Sequence, residues 1–171
     1  MRALAIDPGP EKSAIVLYDA ELRTVMHHEI QDNATLLGRY ERYWWADNEV
    51  THCAIEMIAS YGMAVGAEVF ETCVWIGRFV ERAESLGLVV TRLVRRDVKM
   101  HLCGVNNAKD ANIRAALIDK FGPSREKAIG KKKTPGPLYG IHDDEWAALA
   151  VAVTFVETIV FKRREARKDA A

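Results

Sequence analysis

The chain has 171 residues, 49% hydrophobic and 28% charged, with 24 lysines and arginines balanced by 24 aspartates and glutamates. That length suits a single domain with its own core, and no apolar stretch approaches the ~20 residues a membrane-spanning helix needs. Zero net charge gives no global argument for a polyanion partner, while three cysteines without C-x-x-C spacing disfavour disulfides or a thiolate zinc site and suggest buried free thiols.

Residues 3–6 form a short, continuously apolar run, the pattern of a strand buried on both faces. The run ends in Asp7, then Pro8-Gly9 signals a turn, and a second apolar run over 14–18 returns at hairpin distance. A carboxylate ending a central strand is costly to bury unless a cation meets it, although Asp there also caps turns by accepting backbone N–H bonds. Residues 24–30 add a third strand to an antiparallel meander. Asn33 is a predicted N-cap for a helix from 34 to about 45, with Leu36, Leu37, Tyr40, Tyr43 and Trp44 at helical spacing. Trp44 and Trp45 suit a core better than a base-stacking platform. Residues 50–56 read as a strand that, like the first, ends in an acid, Glu56. Side by side and parallel, the two strands would bring Asp7 and Glu56 together at their carboxyl ends, where open α/β sheets place their sites. Converging carboxylates repel unless a proton or a divalent cation lies between them. The plainer alternative is a solvated Glu at a strand end.

Residues 64–86 predict a long helix whose apolar face, with Val69, Phe70, Val74, Ile76, Phe79 and Val80, is too broad for a surface helix. Gly87 is its expected C′ residue and 88–93 a fifth strand, so strand, helix and strand make a parallel crossover. The segment Val94-Arg95-Arg96-Asp97-Val98-Lys99 leads through Gly104 and Ala108-Lys109-Asp110 to a helix that starts near Asn107 and closes at Phe121-Gly122. Residues 122–140 read as one long loop, in which Lys131, Lys132 and Lys133 suit phosphate contact or simple solvation. The last helix opens in the turn 141–146 and runs to about 162, before a basic tail over 162–171. Acids in its first turn are favoured by the helix dipole. Ala147, Ala148, Ala150 and Ala152 imply close packing on the sheet, which would hold the acidic turn against the sheet surface.

Strand-Asp7-Pro8-Gly9, strand-Glu56, the segment Val98-Lys99…Gly104…Ala108-Lys109-Asp110, and an acidic turn opening Ala148-Leu149-Ala150-Val151-Ala152 occur in that order. Together they resemble the RuvC family of Holliday-junction resolvases, within the RNase H-like nuclease superfamily, and especially its compact phage-type members. The resemblance covers nearly the whole chain. It implies one α/β domain over 1–171, RNase H-like, with a mixed five-stranded sheet of three antiparallel then parallel strands and helices on both faces. It also implies a homodimeric endonuclease that cuts branched DNA in recombination and repair, in the cytoplasm of a bacterial or phage-infected cell, with neither a membrane anchor nor a small-molecule cofactor.

By the same resemblance Asp7 and Glu56 match the first two catalytic carboxylates and metal ligands. Asp144 and Asp143 supply the remaining ligands, with His142 as a further catalytic residue and Glu145 as a substitute through a shifted turn. Aligning on the Ala-Leu-Ala run places Asp144 at the earlier acid position and leaves Ala147 where the later acid belongs. Lys99 and Lys109 match basic positions near the scissile phosphates. Arg95, Arg96, Lys131, Lys132 and Lys133 extend the expected DNA contact. Some resolvases wedge an aromatic into the junction three residues after the second acid; Ala59 stands there, and Tyr61 is the nearest candidate.

Phosphodiester hydrolysis requires an in-line water, neutralisation of developing charge and a stabilised leaving oxygen, which two Mg²⁺ ions about 3.5–4 Å apart provide. Mg²⁺ prefers oxygen ligands and keeps several waters, so carboxylates suffice, with Mn²⁺ as the alternative ion. Junction shape and phosphate contacts, rather than base edges, would supply specificity. A non-catalytic junction-binding or assembly protein on the same fold is the main competing expectation, although clustered acids do not help a binder. An actin-like ATPase fragment also begins with strand-Asp-x-Gly and a hairpin, but that fold needs two such domains.

Overall fold

A computed structural model describes residues 1–39, 49–60, 62 and 64–161. Strand β1 (Arg2–Asp7) pairs antiparallel with β2 (Lys12–Asp19), and β2 with β3 (Thr24–Asp32). On its other edge β1 pairs in parallel with β4 (Val50–Met57), and β4 with β5 (Val89–Val94), giving a five-stranded mixed sheet in the order β3-β2-β1-β4-β5. The apolar run of β1 therefore occupies the middle strand, where Ala3, Leu4, Ala5 and Ile6 are all buried.

Side chains alternate across a strand, so the sheet separates two cores. Ala3, Ala5, Ala14, Val16 and Ala54 face α6 (Glu145–Phe155), whereas Leu4, Ile6, Ile15, Leu17, Cys53 and Ile55 face α2 (Ala67–Ser85). Small residues dominate the first face and meet Ala148, Ala150 and Ala152, so α6 packs across β1, β2 and β4. The helix continues as a π-helical turn over Val156–Phe161. Cys53, Cys73 and Cys103 are free, and burial pushes the Cys53 thiol up to about 12, as suits an inert core residue.

The turn after Asp7 is held from within. Asn33, at the start of α1 (Asn33–Arg39), accepts a hydrogen bond from Ser13 Oγ at 2.6 Å and donates Nδ2 to the Gly9 carbonyl at 2.9 Å. A Cβ at Gly9 would lie 2.4 Å from the Lys12 carbonyl oxygen, so only glycine fits. Asn33 thus uses its side chain to fix the turn that leaves the middle strand.

Two elements depart from the sequence expectation. The segment after β5 is a helix, α3 (Arg95–Cys103), closed by Gly104 at φ 73°; its mixture of charged and apolar residues has too short a period to signal a helix. After α4 (Asp110–Phe121), residues 122–140 are not one loop but contain α5 (Arg125–Ala128) and a hairpin of β6 (Gly130–Lys131) with β7 (Thr134–Pro135). Ala128 and Leu138 anchor that segment in the core. The predicted helical stretch through Trp44 and Trp45, the wedge candidate Tyr61 and the basic tail lie outside the described residues. Among the described residues no helix is long and apolar enough to cross a membrane.

Candidate active site

Strand alternation aims the acids. Ala3 and Ala5 face α6, so Asp7 at the end of β1 points to the same side; Ala54 places Glu56 there by the same rule. Ile6 stands level with Ile55 in the parallel ladder, which puts the two carboxylates at one height. Glu56 is level with Leu93 of β5, and two residues later Arg95 opens α3. The carboxyl ends of neighbouring parallel strands therefore deliver Asp7, Glu56 and Arg95 to one place. From above, the turn before α6 brings Asp143, at φ 42°, and Asp144, at the N-cap position.

These residues line a cleft of about 160 Å³, joined by Asp110 from the first turn of α4. Trp146 forms a wall, buried beneath the Arg114 guanidinium, which stacks 4.6 Å from its ring centre. Burial, reinforced by Glu56, Asp144 and Asp110 and opposed by Arg95, pushes the Asp7 carboxyl from 3.8 up to about 8. Burial also raises Glu56, against the pull of Arg95. Arg95 is the cation within the cluster: Nη1 donates to Glu56 Oε2 at 3.0 Å and Nη2 to Asp110 Oδ1 at 2.5 Å.

The donors offered here are hard carboxylate oxygens, the chemistry that Mg²⁺ takes. Among the described residues no three acidic, imidazole or thiol groups already converge as a closed metal cage. The acids share a cleft with Arg95 among them.

Several expected residues take other places. His142 is exposed and not part of the cleft lining; its Nδ1 lies 3.1 Å from Asp143 Oδ2. Glu145 is turned inward: it is 2% exposed, accepts the His142 backbone N–H at 2.9 Å and lies 2.9 Å from His28 Nδ1 of β3. It fixes the turn and does not line the cleft. Ala147 does line it, three residues after Asp144, so the position where the resemblance expects the later acid faces the site without a carboxylate.

Asp110 is the cleft acid that sequence reasoning missed. Its neighbour Lys109 drew attention as a basic position, and an Asp in a first helical turn is explained by the dipole alone. Lys109 is exposed beside it, its backbone N–H bound by Asn112 Oδ1 at 2.9 Å. Arg95, Arg96, Lys99 and Asn106 line a second depression of about 230 Å³, which shares Arg95 with the acidic cleft. Lys131, Lys132 and Lys133 are exposed at the β6–β7 hairpin, away from either lining.

Solved structures that match this architecture over most of the chain include Holliday-junction resolvases. Thermus thermophilus RuvC superposes with a TM-score of 0.64 at 18% identity, over 90% of this chain and 92% of that one. The fold is that of the RuvC-type resolvases. Fowlpox virus Holliday-junction resolvase matches with a TM-score of 0.52 at 15% identity over 93% of this chain and all of that one. The yeast mitochondrial resolvase Ydc2 gives 0.55 at 11% identity, over 91% of this chain and 78% of its own. RuvC and the fowlpox enzyme have both been solved with Holliday-junction DNA. No family model and no curated protein sequence matches the chain, so the likeness to RuvC is one of fold.

Proposed function

We propose that the chain is a divalent-cation-dependent endonuclease that cuts phosphodiester bonds at four-way or related branched DNA junctions. The observation that carries this reading is the convergence of Asp7, Glu56, Asp143 and Asp144 on one cleft of a RuvC-like sheet, at the carboxyl ends of its parallel strands. A buried acid held beside further acids, as Asp7 is by burial first and by Glu56, Asp144 and Asp110 second, is suited to multivalent positive charge and poorly suited to bare phosphate. Asp7, Glu56, Asp143 and Asp144 are the residues that would hold Mg²⁺ or Mn²⁺ here. When bound, the ions supply neutralisation of the pentavalent transition state and a more acidic water. The chain's own part is to fix these oxygens on rigid strand ends, exclude bulk water with Trp146, and hold phosphates through Lys99 and Lys109.

The direct test is Mg²⁺-dependent cleavage of a four-way junction against a linear duplex of the same sequence. Junction-selective incision supports the reading; junction binding without incision in Mg²⁺ or Mn²⁺ would make the chain a non-catalytic binder. Within the acidic turn, Asp144→Asn should lower cleavage more than Asp143→Asn, because Asp144 acts on Asp7 electrostatically and shares its helix face with Ala147. The reverse order would reassign the ligand to Asp143.

Lys99 is half-buried in the basic depression and Lys109 is exposed at the lip of α4. Replacing either with alanine should weaken junction binding equally across sequences and reduce the slope of log affinity against log salt by about one. A loss insensitive to salt would assign their stems a packing role instead.

Paired incision needs two active sites in fixed relation, which a two-fold dimer supplies. On α2, Phe70 and Val74 stand one turn apart at 62% and 57% exposure, close after the exposed Val65. This stripe is the proposed dimer contact. Sedimentation at micromolar concentration should show a dimer that Phe70→Asp converts to monomer. Monomeric behaviour with and without junction DNA would leave a single-nick branch nuclease.

A further inference from the structure

Arg95 occupies two environments at once. Its guanidinium reaches into the acidic cleft, one arm on Glu56 of β4 and the other on Asp110 of α4, while the same residue also borders the depression formed with Arg96, Lys99 and Asn106. The fork spans carboxylates from two different elements, with the planar guanidinium offering a separate nitrogen to each.

We propose that Arg95 is a resident counter-cation of the acid cluster, displaced when a divalent ion takes Glu56, and that once released it binds DNA phosphate from the adjoining basic depression. This rests on the reading of the cleft as a divalent-cation site. A dication on Glu56 would repel the guanidinium that now lies 3.0 Å from Oε2 and weaken that bond, because the two positive charges would stand within a few ångströms of each other. That repulsion favours release of Arg95, and the same residue already borders the depression that would receive it. There it joins Lys99 and Arg96, the latter 3.7 Å from the Asp97 carboxylate, and the surplus of positive charge on that small surface favours an anion. Cation and DNA would thus assist each other through one side chain, and that coupling is reciprocal. A purely structural Glu56–Arg95–Asp110 bridge predicts no such coupling.

The experiment measures affinity for a fluorescent four-way junction in EDTA and in Ca²⁺, the latter chosen to occupy the cleft while holding back cleavage. Arg95→Gln should lose about tenfold in affinity in Ca²⁺ but less than about twofold in EDTA, since only the released guanidinium contacts phosphate. Asp110→Asn changes a side chain 83% exposed, so the fold is not at stake; loosening one arm of Arg95, it should bind junction more tightly than wild type in EDTA. Arg95→Lys, which keeps the charge without the fork, should reach its Ca²⁺-induced rise in melting temperature at a lower Ca²⁺ concentration than wild type. Equal losses for Arg95→Gln in EDTA and Ca²⁺, or no gain for Asp110→Asn in EDTA, would overturn the displacement. If Ca²⁺ changes neither melting temperature nor junction affinity of the wild type, the cation reading fails and takes this one with it. A normal Ca²⁺ response with equal Arg95→Gln losses removes the displacement alone.

Discussion

Asp7→Asn and Glu56→Gln are each expected to lower junction cleavage by about 10³-fold or more, equivalent to about 4 kcal/mol of transition-state stabilisation. Each substitution removes one carboxylate that could serve a cation from the floor of the cleft and changes almost no volume. Asp7 and Glu56 stand level on adjacent parallel strands, so neither can replace the other without moving a strand end. Circular dichroism and melting should show both variants folded. Their junction affinity in EDTA should be unchanged or tighter, because Glu56→Gln removes a negative charge that faces phosphate and Asp7, which keeps its proton up to about pH 8, loses no charge on becoming Asn at neutral pH. Wild-type rates from either variant would refute the assignment of these acids to the cation. A loss of cleavage together with a loss of fold would assign them to the scaffold instead.

Asp7→Asn should also stabilise the protein at alkaline pH. The native Asp7 carboxyl titrates at about 8 and its ordinary value is 3.8, so between those values the folded chain keeps a proton that the unfolded chain has released. The unfolded state then binds fewer protons, and stability falls as pH rises through this window. The contribution of Asp7 is fully present below about pH 4 and lost by about pH 8 to 9. Asparagine removes that titration. At pH 8.5 the variant should melt on the order of 5 °C or more above wild type, with the difference vanishing near pH 4. Mg²⁺ should narrow the gap by binding and stabilising only the wild-type cluster. A melting difference independent of pH would mean that Asp7 is already ionised in the native state, compensated by Arg95.

Much of this was legible in residues 1–60. Four buried apolar residues before Asp7 define a middle strand, and the turn chemistry of Pro8-Gly9 dictates the hairpin beside it. A second strand ending in Glu56, followed by a long helix and another strand, requires a parallel crossover. The meeting of Asp7 and Glu56 follows from that connectivity. The alanines of α6 likewise announced close approach to the sheet, since only small side chains allow it.

What one chain of letters could not decide lies in residues joined by packing rather than by period. Local pattern reports which face of an element is apolar, and says little about which neighbour a charged side chain at its end will meet. Asp110 and Asp144 both sit at helix starts, where the dipole explains an acid equally well whether it faces a site or water. Only the packing of α6 on the sheet, and of α4 against α3 and α6, turns both toward Asp7. Glu145, one residue from Asp144, is carried by the same turn to the opposite side, against His28. Arg95 reads in sequence as one more cation in a basic segment. The level ends of β4 and β5 set its guanidinium on Glu56, because the cheapest place for a half-buried charge is beside an opposite one.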